Sequence, residues 1–143
     1  MRGGPRPWRW LTGVPATVTD PGQRRALQLL LALLAVIIVL GGVSIGIQRL
    51  VIPGYERTFA VSAPAIGLLM LAWVLARAGR FAPAAVLTLG VTVFGPYAVL
   101  LARPDELYAY ALPVISILLA ALFFRERGAL AVGGLHVAVL ALL

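Results

Sequence analysis

Apolar residues fall into five long runs, 26–47, 59–76, 81–102, 107–124 and 128–143, set between short polar connections that carry the arginines. The first run has 22 residues and meets the roughly 20 needed to cross a hydrocarbon core of about 30 Å at 1.5 Å per residue. Its 14 Leu, Ile and Val side chains favour insertion by roughly 4 to 8 kcal/mol, an upper bound because positions near the ends count for less. It exceeds the roughly 7–15 apolar residues of a cleaved signal, and no A-x-A site follows it. Arg24-Arg25 before it is a poor match to a twin-arginine export signal, since Ala26-Leu27-Gln28 continues it badly. The connections 77–80, 103–106 and 125–128 are so short that consecutive helices must turn straight back on one another. The pattern predicts an all-α fold, a polytopic transmembrane bundle of five hydrophobic helices in up-and-down topology. Residues 1–25, rich in Gly, Pro and Arg, are expected to form a flexible basic tail.

Composition supports the bilayer as solvent. With 62% hydrophobic and 12% charged residues, the chain lacks the polar groups that the exterior of a soluble domain requires. A net charge of +7 would suggest nucleic acid in a soluble protein, but here the arginines sit between apolar runs and set topology, so no nucleic-acid partner is expected. All twelve basic residues are arginine, which reflects coding bias more than arginine chemistry. Nine arginines fall in the tail, the second and the fourth connections (Arg77, Arg80, Arg125 and Arg127 among them), against three in the first and third (Arg49, Arg57, Arg103). The positive-inside rule therefore predicts an inner-membrane protein with a cytoplasmic amino terminus. Asp105 and Glu106 make the third connection net acidic, in keeping with an outside position.

Little in the runs suggests chemistry. None of the five contains Asp, Glu, Lys or Arg, although ion-coupled carriers usually hold such groups at membrane depth. With no cysteine there is no disulfide, thiolate nucleophile or lipoprotein attachment site. His136 is the one histidine; without a second ligand at i+3 or i+4 it reads as an imidazole hydrogen-bonded to a neighbouring helix before it reads as a proton or metal site. Pro64, Pro96 and Pro113 lie inside the second, third and fourth runs, and helix packing explains them. Gly42-Val43-Ser44-Ile45-Gly46 suits packing within the bundle first and a homodimer second. Tyr97, Tyr108 and Tyr110 around the third connection fit an aromatic belt, and less readily an outside ligand site. Trp8 and Trp10 could rest at a headgroup surface, although Pro5 and Pro7 oppose a helix there. No P-loop, HExxH or hydrolase triad is present, so no catalytic, metal or cofactor residue is assigned, no cofactor is expected, and the chain as given is not expected to be an enzyme.

The basic tail, the Arg-Arg entry to the first run, LARAGRFAPAAVLTL and YAYALPVISILLAALFFRERGAL together resemble the multi-pass membrane region of bacterial sensor histidine kinases of the PAS-containing type. The resemblance covers 23–143. It implies a signal-input segment that hands a conformational change to cytoplasmic domains, with a response regulator as partner only if a kinase follows. Such regions usually have an even number of helices, so GGLHVAVLALL reads as an unfinished fifth helix with a sixth expected to follow. His136 lacks the acidic and proline context of a phospho-acceptor. The alternatives are a fragment of a small-molecule transporter or permease, or an accessory integral membrane protein without enzymatic activity.

Overall fold

The computed structural model describes residues 12–102 and 112–142, and these form four helices: α1 Pro21–Val51, α2 Glu56–Arg77, α3 Phe81–Ala102 and α4 Leu112–Leu142. Among the described residues α1, α2 and α3 are long and apolar enough to cross a membrane, and 113–124 of α4 is a shorter apolar stretch. No strand occurs among the described residues. Trp8, Trp10, Tyr108, Tyr110 and the third connection lie outside them.

α1 begins five residues before its apolar run. Asp20 caps it, its Oδ2 accepting from the Gln23 backbone N–H at 2.6 Å, and Pro21 occupies the first turn, where a missing N–H costs nothing. The expected flexible tail is thus corrected from Thr12 onward. Arg77 Nη1 donates to the Gly13 carbonyl at 3.3 Å, Val18 is buried in the core, and residues 21–25 are helical. The α2–α3 turn explains why the tail docks there. Gly79 takes φ +78°, Arg80 N–H donates to the Leu75 carbonyl and Gly79 N–H to that of Ala76, a Schellman closure that needs a left-handed residue. A methyl at Gly79 would lie 3.4 Å from Val18 Cγ2, so the tail covers the turn closely.

α4 has helical backbone from Leu112 to Leu142, with no non-helical residue at the expected fourth connection. It is nevertheless a hairpin. Ser116 Oγ and His136 Nε2 stand 2.5 Å apart, whereas 20 residues of straight helix would separate them by about 30 Å. Ala120 and Val132 share one apolar cluster with Val93 of α3, which again pairs residues on either side of 125–127. The reversal centres on Phe124–Gly128. A methyl at Gly128 would collide with Phe124 Cβ and come within 3.0 Å of the Ala120 carbonyl oxygen, so only glycine fits the bend. Two arms, 112–124 and 128–142, therefore run antiparallel, and Phe123 beside the bend meets Phe81 at the start of α3 edge-on with centroids 6.0 Å apart.

The core is lopsided. At the end that carries Arg24, Arg77 and Arg127, the side chains of Leu27, Leu30, Leu31 and Leu34 pack on Ala72, Ala76, Ala84 and Ala85, and alanines let the backbones of α2 and α3 approach. Toward the other end one face of α1 is uncovered, with Leu40, Val43, Ile47 and Leu50 exposed, while the Arg49 guanidinium still lies 4.5 Å from the Phe59 ring centroid of α2. Gly42 and Gly46 lie on this part, and a Cβ at either would meet nothing within 4 Å, so the GxxxG is not used for packing within the described bundle.

Candidate functional site

Three polar side chains meet where the loose half of the bundle begins. Tyr97 lies on α3 five residues before its end, Ser116 on the first arm of α4 and His136 on the second, and all three are buried. The Tyr97 hydroxyl is 2.5 Å from His136 Nδ1, and Ser116 Oγ is 2.5 Å from His136 Nε2. Both ring nitrogens are engaged, each by a different helical segment. Val61 of α2 and Val139 of α4 pack around Tyr97, with Val99 and Leu100 of its own helix.

Counting protons fixes the direction of this chain. Ser116 has one hydroxyl proton, and Oγ stands 2.7 Å from the Pro113 carbonyl oxygen, which can only accept. With that proton donated to Pro113, Nε2 must carry the ring proton and donate to Ser116. Nδ1 is then the bare nitrogen of a neutral imidazole and accepts from the Tyr97 hydroxyl. Every donor in the sequence Tyr97, His136, Ser116, Pro113 thus has one acceptor. Such a fully satisfied network suits the dry interior of a bundle, where an unpaired polar group is expensive.

The remaining polar side chains of α3 do not extend this chain. Thr88 Oγ1 donates to the Ala84 carbonyl at 2.8 Å, and Thr92 Oγ1 lies 3.1 Å and 3.0 Å from the carbonyl oxygens of Thr88 and Leu89. Both hydroxyls are satisfied by their own helix, so they build no continuous polar track for a solute. Among the described residues no group of three His, Cys, Asp or Glu side chains could hold a metal ion. The Oγ1 of Thr58 on α2 is the exception to satisfaction: the residue is wholly buried and the oxygen has no partner among the described residues.

Beside the chain, α1, α2, α3 and the first arm of α4 enclose a partly open cleft of about 220 Å³. Its walls are Ile45, Val61, Ala65, Val91 and Ile115, with Ser62 and Thr92 as polar points. Pro96, Val99 and Ile115 connect it to the polar chain, being neighbours in sequence or in packing of Tyr97 and Ser116. A second groove, lined by Pro64, Leu68, Gly90 and Phe94 among others, runs along α2 and α3 and shares Val61, Ala65, Val91 and Gly95 with the first.

The sequence reading of His136 as a helix-to-helix hydrogen bonder agrees with its geometry; its partners were not anticipated. In sequence Tyr97 reads as an aromatic-belt residue, and Ser116 only as one of four polar side chains, with Thr88, Thr92 and His136, that leave a little room for a carrier. A signal existed for Ser116: it lies ten residues before Glu126 and His136 ten after, so a hairpin centred on the RER triplet sets the two opposite each other. Compared with known proteins, the chain matches no family model, no curated protein and no solved structure.

Proposed function

We propose that this chain is the membrane-embedded signal-input segment of a bacterial two-component sensor kinase, with its amino terminus in the cytoplasm. The observation that supports it is the Tyr97–His136–Ser116 chain, which ties α3 to both arms of α4 through two hydrogen bonds on a single imidazole. Interhelical hydrogen bonds in membranes contribute on average about 0.6 and at most about 1.7 kcal/mol each. Detaching the α4 hairpin from α3 breaks the Tyr97–His136 bond and keeps Ser116–His136 within the hairpin, so this polar link favours the joined state by about 0.6–1.7 kcal/mol. A stimulus that favours one state by a few kcal/mol would then shift the bundle without any bond being made or broken covalently. The satisfied threonines of α3 weigh against the permease reading, since their hydroxyls are spent on their own helix and add no polar track among the described residues.

The test is the coding sequence beyond the Leu143 codon together with the activity of its product. An in-frame histidine kinase whose autophosphorylation in vesicles changes on Tyr97→Phe or Ser116→Ala supports the reading. A stop codon, or a kinase indifferent to both substitutions, overturns it.

A further inference from the structure

We infer that the cleft between α1, α2, α3 and α4 is a binding site for a slim, neutral lipophilic molecule with a carbonyl group, taken up from the bilayer. The size is sufficient: the cleft has about 220 Å³, and a dry apolar cavity of roughly 150 Å³ accepts benzene. The walls decide the charge class. Apart from Ser62 and Thr92 they are apolar, and among the described residues no acidic or basic side chain lines them, so a charged ligand would lose its hydration without a partner.

The Ser62 hydroxyl on α2 decides the polar group. Ser62 lines the cleft, and its hydroxyl makes no hydrogen bond among the described residues. A serine or threonine in a membrane helix ordinarily bonds a carbonyl of its own helix, as Thr88 and Thr92 do here. Ser62 forgoes this bond and presents its O–H donor in the cleft to an acceptor from outside the helix. A ligand carbonyl accepts such a donor and brings no donor of its own that would need a second partner.

Gly95 keeps the space open. A Cβ there would meet nothing within 4 Å, so a larger side chain can enter the cleft without displacing a neighbour at its base. The cleft also backs onto Val99 and Ile115, beside Tyr97 and Ser116, so an occupant would bear on the helices that the imidazole joins. That consequence rests on the signalling role proposed above, whereas the binding itself does not.

The test uses the full chain in phosphatidylcholine vesicles and a medium-chain methyl ketone carrying a diazirine in its tail. Photolysis is expected to label peptides around Ser62 and Val99, and an unlabelled ketone of the same length should compete. The matched alkane should compete about fivefold less well, the ratio expected for one hydrogen bond of ordinary strength. Gly95→Leu should abolish the site-specific label, and Ser62→Ala should erase the difference between ketone and alkane while the alkane still competes. Labelling spread evenly over the exposed face at Leu40 and Phe94 would overturn the proposal. So would ketone competition unchanged in both variants. Because the readout requires no output domain, failure of the signalling role in its own test would leave the binding site standing, and evenly spread labelling would remove the site without touching that role.

Discussion

The imidazole of His136 is held in one tautomer by a residue it does not touch. The Pro113 carbonyl takes the Ser116 proton, Ser116 can then only accept from Nε2, and Nδ1 is left for Tyr97. Nitrogen-15 NMR of histidine-labelled protein should therefore show a neutral ring protonated at Nε2, with Nδ1 bare; the opposite tautomer would break the chain of donors. Tyr97→Phe removes a donor and leaves Nδ1 buried without a partner. Unfolding from detergent should show a loss of about 1 kcal/mol, within the range measured for hydrogen bonds inside membranes. In a His136→Leu background the same substitution should cost close to nothing, since both polar ends are then gone. An equal cost in both backgrounds would mean that Tyr97 acts through packing alone.

At the scale of elements, hydropathy located the helices but not their ends. The runs at 59–76 and 81–102 lie within α2 and α3 almost residue for residue, because a glycine that can adopt positive φ stands between them and stops the first helix. α1 starts earlier than its apolar run because Asp20 and Pro21 form a helix start that is polar and hence invisible to hydropathy. The RER triplet poses the converse case. Arginine and glutamate are good helix formers and glycine costs only about 1 kcal/mol in a helix, so helical backbone persists through a segment whose charges suggest a loop. The reversal there is a property of Gly128, and of tertiary packing that no local pattern encodes. Gly128→Ala should open the hairpin, since its methyl has to displace Phe124. A cysteine pair at Ala120 and Val132, which share a cluster, should oxidise to a disulfide in the parent and lose most of that yield in the Gly128→Ala protein. Unchanged yield would show that the bend tolerates a side chain. The candidate site was less legible for the same reason: Tyr97 and Ser116 are 19 residues apart and meet only through His136, once α4 has folded back.

Across the whole molecule the two ends of the bundle differ in what a substitution can do. At the arginine-rich end Leu30 and Leu31 are fully buried against a wall of alanines and the docked tail. Leu30→Ala would leave a cavity that close-packed neighbours cannot fill, with a cost of about 2–5 kcal/mol. At the opposite end the cleft already exists, and the helices around it are joined by one imidazole and a few valines. There an added methyl is the informative change. Gly95→Ala places its Cβ in open space within a helix, so helix propensity alone should raise stability by about 0.5–1 kcal/mol. Gly41→Ala, in the same size class, puts its Cβ 2.9 Å from Ile66 Cδ1 where α1 and α2 come together, and the isoleucine must move. Its helix-propensity gain should therefore be offset, and the two alanine variants should separate in a detergent unfolding series, Gly95→Ala above the parent and Gly41→Ala at or below it. If both rise equally, Ile66 swings its Cδ1 aside at little cost, and the contact between α1 and α2 at Gly41 is a soft one.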